Sequence, residues 1–227
     1  MTSTAEPTET AMSLSEQAYR NLRDQLIMLE IRPGDAINDS ALAASLGIGR
    51  TPVREALKRL ESDHLVVSYP RRGTFATRVD FTELADISEI RQLLEPLAAR
   101  RAARNASAPM RARLRDLAAD IARSQPSNSD QHDLMRFDIA VHRQIYAAAG
   151  NSHLEDVLIR YDNLATRIWC LVLDKIPSVA GHITEHVNLL HAISDGDGEL
   201  SAALALGHVT NFEKTIRTVL EIARSPV

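Results

Sequence analysis

Two short helical segments joined by a tight turn constrain the fold of this chain more than any other feature. The first segment, Asp39–Leu46, is apolar and is followed by Gly47, a residue type that often ends helices. The second segment begins at Arg50-Thr51-Pro52, and the first turn of a helix tolerates proline because the missing N–H is not needed there. Two short helices connected by a glycine-containing turn form a helix-turn-helix.

The second of these helices carries a pair of arginines at its N-terminal end. Arg50 and Arg54 are four residues apart and therefore lie on one face of the helix. The second helix of such a motif enters the major groove of DNA with its first residues nearest the bases. The motif therefore predicts DNA binding, with contacts from Arg50, Thr51, Pro52 and Arg54.

A β-hairpin is predicted directly after this motif. The β-rich runs Leu65–Tyr69 and Thr74–Arg78 flank a turn over Pro70–Gly73, and two arginines occupy its tip. We expect Arg71, Arg72 and Gly73 to form a basic wing that reaches a DNA groove or backbone. The alternative is a solvated surface turn.

The distribution of charge agrees with DNA binding although the whole chain is acidic. The formal net charge of the 227 residues is −4. Between Gly47 and Arg78, however, seven basic and three acidic side chains leave a local charge of +4. Contact with phosphates depends on the charge of the binding face, and the basic residues are concentrated where the motif lies.

Other sequence features bear on the compartment of the protein. No apolar run reaches the roughly 18 residues that indicate a membrane helix, so no membrane partner is expected. Residues 1–13 are polar and acidic, unlike a signal peptide, and are expected to form a disordered tail. The lone Cys170 cannot form an internal disulfide, which is typical of a cytoplasmic protein.

The chain is expected to divide into a winged helix-turn-helix domain (14–78), a linker (79–82) and a helical domain (83–224). A helix over Ser15–Glu30 precedes the motif, and apolar residues recur at helical spacing throughout the last domain. Helices are predicted there near 82–105, 109–124, 130–149, 152–174, 179–194 and 199–223. The predicted fold class is mainly α: an N-terminal winged helix-turn-helix plus a C-terminal all-α antiparallel helical bundle.

Polar residues interrupt the apolar stripes of the bundle helices. Asp138 and His142 lie four residues apart, and His186 and His208 lie about ten residues before and after the turn at 195–198. In an antiparallel hairpin, equal distances from the turn bring two residues to the same height. Because unpaired burial of such groups is costly, they predict a divalent metal site for zinc, nickel or manganese. The alternatives are a hydrogen-bonded core network and a rival pair of His186 with His182, which lies off the stripe and is expected to be exposed.

These motifs together resemble a known family. The run Gly49–Leu60, with Leu65–Val67 and the wing Arg72–Phe75, is similar to the winged-helix domain of GntR-type transcription regulators. The second half resembles the all-helical FCD effector domain of the FadR subfamily. Its landmarks are Arg91–Pro96, Phe137–His142, Gly150-Asn151, Glu185-His186, Ala192-Ile193 and His208-Val209. The resemblance covers about residues 14–222.

The resemblance implies a ligand-responsive regulator rather than an enzyme. The family's metal ligands correspond to Asp138, His142, His186 and His208. The effector domain of the family forms a homodimer, which carries two winged domains to a pseudo-palindromic operator in double-stranded DNA. A small organic acid, whose carboxylate completes the metal shell, is expected to release a repressor from this operator.

Two positions depart from the family pattern. Gly49 replaces a serine before Arg-Thr-Pro, so the recognition helix lacks a side-chain cap. His64 replaces a glycine at a position that often needs a positive φ, which a histidine adopts at some cost. Neither change removes the arginines, so DNA binding is still expected.

Three residues are candidates for contact with the effector. Arg91 lies among apolar residues on the first bundle helix and pairs either with an effector carboxylate or with Glu95 or a neighbouring helix. Arg167 and Trp169 are further pocket candidates, and Trp169 alternatively belongs to the core.

Two other functions compete with this interpretation. A metal-dependent enzyme with a fused DNA-binding domain fits three histidines and an aspartate, but four protein ligands leave little room in a tetrahedral site. An architectural DNA-binding protein without an effector leaves the polar residues on the bundle stripes unexplained.

Overall fold

The computed structural model describes residues 12–124 and 126–224, apart from the side chains of residues 128 and 222–224. The predicted tail, residues 1–13, falls almost wholly outside the described residues. The chain forms two compact units, one ending at Thr77 and the other beginning at Arg78 and also including Ile27–Leu29. The first unit contains α1 (Leu14–Ile27), β1 (Ala36–Ile37), α2 (Asp39–Leu46), α3 (Arg50–Ser62), β2 (Val66–Tyr69) and β3 (Gly73–Ala76).

The helix-turn-helix forms from local signals at its helix ends. The side chain of Asn38 accepts hydrogen bonds from the backbone N–H groups of Ser40 and Ala41 at the start of α2. Gly47 ends α2 in the left-handed conformation, with a φ of 65°. Gly49 precedes α3 without a side-chain cap, as expected from the missing serine. The motif therefore has one strongly capped helix and one whose start depends on packing.

The first helix is shorter than predicted. Ala18, Leu22 and Leu26, which recur at helical spacing, are fully inaccessible to solvent, while Leu29 is half-buried. The helix ends at Ile27 rather than Glu30 because Leu29 has a φ of 58°, a conformation that cannot continue a right-handed helix.

A three-stranded antiparallel sheet carries the wing. β2 and β3 form the predicted hairpin, with Val66 opposite Ala76. β1 pairs with the other edge of β3, so the strand order is β1-β3-β2. The sequence did not predict β1, because two residues are too few to show an alternating pattern. His64 has the positive φ expected from the glycine that it replaces, 61°.

The second unit is all-helical among its described residues. Its helices are α4 (Leu84–Asn105), α5 (Ala108–Ser124), α6 (Gln131–Ala148), α7 (Ser152–Val172), α8 (Ala180–Asp195) and α9 (Gly198–Arg224). α4 packs against α9, α7 and α6, while α8 packs against α5 and α9. None of the described helices has a stretch that is long and apolar enough to cross a membrane. The predicted fold class, a winged helix-turn-helix followed by a helical bundle, is confirmed.

Candidate metal centre and nucleic-acid interface

The residues predicted to contact DNA lie on the surface of the first unit. The side chains of Arg50 and Arg54 are 55% and 60% exposed. Thr51 is exposed beside them, whereas Pro52 is half-buried. At the hairpin tip the exposed residues are Arg71, Arg72 and Gly73.

A groove of about 750 Å³ runs between the recognition helix and the wing. Its lining includes Arg54 and Lys58 from α3, Ser68 and Gly73 from the hairpin, and Asp39 from the start of α2. The recognition helix and the wing therefore share one concave surface, which is a suitable shape for a nucleic-acid backbone.

The four predicted metal ligands converge inside the second unit. Asp138 and His142 come from α6, His186 from α8 and His208 from α9. One ligand atom from each of them lies within 4.8 Å of the others, and their side chains are at most 5% exposed. The structure thus brings together residues that are up to 70 positions apart in the chain.

The ring nitrogens of the three histidines point at one another. Nε2 of His142 lies 3.2 Å from Nε2 of His208 and 3.4 Å from Nε2 of His186. Oδ1 of Asp138 lies 3.7 Å from Nε2 of His186. Atoms bound to one zinc ion at about 2.0–2.2 Å in a tetrahedron are separated by about 3.3–3.6 Å. The spacing therefore fits a single shared cation.

The other ring nitrogens of His142 and His208 face polar partners, whereas Nδ1 of His186 is buried without a hydrogen bond from the described residues. Nδ1 of His208 lies 2.9 Å from Oε2 of Glu185. Nδ1 of His142 lies 3.1 Å from the hydroxyl of Tyr146 and 3.4 Å from Oε2 of Glu95. When Nδ1 carries the proton that such a carboxylate accepts, Nε2 is left with a lone pair. Two facing Nε2 lone pairs repel each other unless a proton or a metal ion lies between them.

The carboxylate of Asp138 is also incompletely satisfied. Its buried Oδ1 accepts no hydrogen bond from the described residues. Burial raises the pKa of this carboxyl to about 7, an effect that the neighbouring Asp162 strengthens. A buried acceptor without a donor is costly, and a cation would satisfy it.

The histidines of the cluster differ in their affinity for protons. Burial alone lowers the pKa of His142, but the carboxylates of Glu95, Asp162 and Asp138 outweigh it and raise this pKa to about 9. Burial lowers the pKa of His186 to about 3, and the charge of His142 contributes in the same direction. Burial also lowers the pKa of His208 well below its ordinary value.

His182 belongs to the cluster, so the prediction that it is exposed was wrong. Its side chain is only 8% exposed. The ring stacks on His208 with 3.9 Å between ring centres, and its Nε2 lies 3.5 Å from Oδ1 of Asp138. His182 precedes His186 by four residues, so both share the face of α8 that is turned towards α9 and α6.

Arg91 makes the intramolecular ion pair that the sequence left open as an alternative. Its Nε donates to Oε1 of Glu95 at 2.6 Å, and its Nη2 donates to Oδ1 of Asp162 at 3.3 Å. Burial raises the pKa of Glu95, but Arg91 and His142 outweigh it and lower this pKa to about 2. A buried charge network thus extends from Arg91 through Glu95 to His142.

The two other effector candidates are buried. Arg167 is 2% exposed, and burial lowers its pKa to about 10. Trp169 is part of the core, as the alternative interpretation proposed, but its ring also lies 4.6 Å from that of His182 and 4.8 Å from that of Phe212. Trp169 therefore borders the histidine cluster.

Three acidic residues of the site, Glu95, Asp162 and Glu185, were not predicted from the sequence to have a role there. For Asp162 a signal was present, because it lies on a helical stripe with Leu158, Ala165 and Trp169, all buried. No local pattern distinguishes Glu185, which is half-buried beside His186 and reaches His208 on the next helix.

Comparison with known proteins agrees with both units. Residues 14–76 match the gntR family of bacterial regulatory proteins, and residues 86–211 match the FCD domain. The chain is 28% identical over 191 residues to an uncharacterised HTH-type transcriptional regulator of an unstable DNA locus in Streptomyces ambofaciens, covering 84% of this chain and 80% of that protein. It is 28% identical over 202 residues to the Nta operon transcriptional regulator of Aminobacter aminovorans, covering 88% and 92%.

The fold has a counterpart among solved structures. The E. coli McbR/YncC structure aligns with a TM-score of 0.79 at 23% identity, covering 94% of this chain and 100% of that one. The FCD match alone spans more than half of the chain, and the curated relatives described above are regulators of transcription rather than enzymes. The chain therefore belongs to the GntR family of bacterial transcription regulators that carry an FCD domain, and it is a DNA-binding regulator, not an enzyme.

Proposed function

We propose that the protein is a dimeric, metal-containing repressor that leaves its operator when a small organic acid binds in the helical unit. We place its DNA-binding domain at residues 14–78, its linker at 79–82 and its effector-binding and dimerisation domain at 83–224. We also assign it to the FadR subfamily, acting on operator DNA in the cytoplasm. The observation that carries this proposal is the convergence of three imidazole Nε2 atoms on one buried point beside Asp138.

The proposed metal ligands are Asp138, His142, His186 and His208. Three nitrogens and one oxygen suit zinc, while nickel and manganese are also compatible with such a donor set. When bound, an ion that accepts five or six ligands would supply a Lewis-acidic position for an effector carboxylate. The hydrogen bond between His208 and Glu185 and the one between His142 and Tyr146 support this role, because they hold the imidazole rings with Nε2 directed inward.

Three residues are proposed to border the effector: Arg91, Arg167 and Trp169. The charge of Arg91 is already balanced by Glu95 and Asp162, which favours the metal as the partner of the effector carboxylate. Trp169 is the best placed of the three, since its ring lies against His182. An effector shifts the equilibrium between the operator-binding and the released arrangement only by the difference in its binding free energy to the two. This difference is typically about 1–3 kcal/mol.

The metal is tested on protein purified without chelator and dialysed against zinc, nickel and manganese in turn. We expect about one metal ion per chain with at least one of these ions. His186→Ala and His208→Ala should lose the metal, thermal stability and the effector response together, while operator binding survives at least in part. His191→Ala, an exposed histidine on α8, is the matched control and should keep all three properties. Less than one ion per chain in every dialysis would reject the site.

The proposed DNA contacts are made from the recognition helix by Arg50, Thr51, Pro52 and Arg54, and from the wing by Arg71, Arg72 and Gly73. Both arginine pairs are exposed, and Arg54 and Gly73 line the groove, which supports this assignment. Arg54→Ala should cost about 1–3 kcal/mol of operator affinity if the arginine reads a base. Arg123→Ala, which changes an exposed arginine of the bundle, is the control. Unchanged operator affinity of Arg54→Ala at moderate salt would reject the assignment.

A further inference from the structure

An acidic side chain lies within the basic face of the first unit. Asp39, the first residue of α2, accepts hydrogen bonds through Oδ2 from Nε of Arg54 at 2.7 Å and from Nη2 of Arg50 at 3.3 Å. It also lines the groove between the recognition helix and the wing. A carboxylate at this place repels DNA phosphates, so the residue does not serve affinity for the DNA backbone.

The contact fixes the direction of the Arg54 guanidinium. Asp39 accepts from Nε, while the side chain of Arg54 remains 60% exposed. The guanidinium is planar, so holding its Nε edge sets the plane in which its Nη donors point. The commonest specific arginine contact in DNA uses two parallel donors to O6 and N7 of one guanine, and it depends on that orientation.

The same contact competes with binding to phosphates. A free arginine on this surface can turn to any nearby phosphate. One whose Nε is held by Asp39 reaches only acceptors in line with its Nη donors, unless it gives up a charge-assisted hydrogen bond. The hydrogen bond from Arg54 lowers the pKa of Asp39, so the carboxylate is charged at neutral pH. A guanine in line with the Nη donors leaves the Nε contact intact and can be bound without that loss; the same holds for a phosphate at that place, but not for phosphates elsewhere around the arginine.

We propose that Asp39 is a positioning residue for DNA-sequence specificity, which orients Arg54 for the bases and restrains it from indiscriminate phosphate contacts. This inference rests on the proposed function, in which both arginines contact DNA. The competing explanation is an ordinary exposed ion pair, which would contribute little and would leave specificity unchanged.

The test compares Asp39→Asn with Glu16→Gln in the full-length protein. Glu16 is a matched control because it also pairs with an arginine of α3, Arg59, at 2.7 Å, and its loss changes the charge of the same unit equally. The probes are a duplex selected from random DNA by the wild-type protein and a scrambled duplex of the same composition. Dissociation constants are measured by fluorescence anisotropy over a series of salt concentrations.

We expect Asp39→Asn to bind the scrambled duplex about three- to tenfold more tightly than Glu16→Gln does, with a salt slope steeper by about one. The ratio of specific to non-specific affinity should fall about tenfold relative to the control. Thermal melting verifies that the Asp39→Asn variant is folded. If it is not folded, Asp39→Ser is compared with Glu16→Gln instead.

A double variant tests whether Asp39 acts through Arg54. In the Arg54→Ala background, adding Asp39→Asn should leave the affinity ratio unchanged. Equal ratios for Asp39→Asn and Glu16→Gln would overturn the inference, and so would a fall in the ratio that persists without Arg54. Unchanged operator binding by Arg54→Ala alone would instead contradict the proposed DNA contacts, so the two failures are distinguishable.

Discussion

The buried histidines of the second unit have individual roles that depend on which charged groups surround them. His142 is close to three carboxylates, Glu95, Asp162 and Asp138, and these raise its pKa. For His186, burial and the charge of His142 outweigh the effect of Glu95, so its pKa is lowered and the ring is neutral. A metal ion requires neutral imidazoles and an ionised carboxylate, so binding must displace protons from some of these residues and not from others.

This difference predicts a pH dependence of metal affinity. In the metal-free protein His142 holds its proton below a pKa of about 9, and Asp138 holds its proton below a pKa of about 7. Binding should therefore release about one proton between pH 7 and 9 and about two below pH 7, so affinity falls as the pH falls. Calorimetric titration of zinc in buffers of different ionisation enthalpy measures the released protons.

The contrary outcome is a metal affinity that stays constant down to pH 6.5, the ordinary imidazole pKa, and falls only below it. That result would mean that the carboxylates near His142 do not hold a proton on the cluster. His186 and His208 contribute no release over this range, because burial has already lowered their pKa values below it.

The hydrogen bond behind His208 leads to a second prediction. Glu185 accepts from Nδ1 of His208 at 2.9 Å and from Nδ2 of Asn211 at 2.8 Å. Glu185→Gln removes the charge that holds this ring, so zinc affinity should fall about tenfold or more. Competition with a chromophoric chelator measures the affinity, and Glu199→Gln, an exposed residue paired with Arg100, is the control. Equal affinities for the two variants would exclude a positioning role for Glu185.

At the scale of elements, one arginine joins the ends of two helices. Arg111 of α5 donates to the carbonyl oxygens of Ala103 and Ala106 at the end of α4, at 2.6 and 3.0 Å. It also donates to those of Ile193 and Ser194 at the end of α8, at 3.1 and 3.0 Å. The last carbonyl groups of a helix have no partner within the helix, and a cation near them is favourable.

Arg111→Lys should therefore destabilise the helical unit. A lysine ammonium is a single point charge and cannot reach four carbonyl groups with the fork of a guanidinium. We expect a loss of about 1–3 kcal/mol in the free energy of unfolding, measured by urea denaturation. Arg113→Lys changes an exposed arginine on the same helix and should have little effect. A variant as stable as that control would show that water replaces these hydrogen bonds.

At the scale of the whole molecule, the bundle has an exposed apolar surface suited to a second copy of the chain. Leu93 and Leu97 on α4 are 69% and 41% exposed, and Leu206 on α9 is 43% exposed. Glu199 and Glu213 of α9 hydrogen-bond to side chains of α4. Leu206 lies seven residues, about two helical turns, from each of them, so it lies on the same side of α9, along the contact with α4. A two-fold operator needs a two-fold protein, and this surface is the one that we expect to form the dimer.

Charged substitutions should separate the dimer. Leu93→Glu with Leu97→Glu buries two carboxylates if the surface is an interface, and we expect the dimer to weaken by about 2–4 kcal/mol. Light scattering at micromolar concentration should then return a mass near the 25.1 kDa of one chain. Ala112→Glu, on the exposed side of α5, is the control and should remain dimeric. A wild-type protein that is monomeric with and without DNA would contradict the dimer itself.

Much of this organisation was readable from local patterns. The glycine and proline around the recognition helix, the hairpin turn and the 3.6-residue periodicity of the bundle each depend on residues close together in the chain. The same is true of the polar positions on apolar stripes, which singled out Asp138, His142, His186 and His208 before their distances were known. Asp162 also lies on such a stripe, but no role at the site was predicted for it.

Tertiary structure alone decided which groups surround these residues. The sequence determined that His142 is buried, because its stripe is apolar; it did not determine that Glu95 and Tyr146 face its Nδ1, or that His182 stacks on His208. Likewise it marked Arg54 as exposed without placing Asp39 against it. The physical reason is that periodicity reports which face of an element is buried, whereas ion pairs, proton affinities and metal geometry depend on distances of a few ångströms between elements, which are set only when the elements pack.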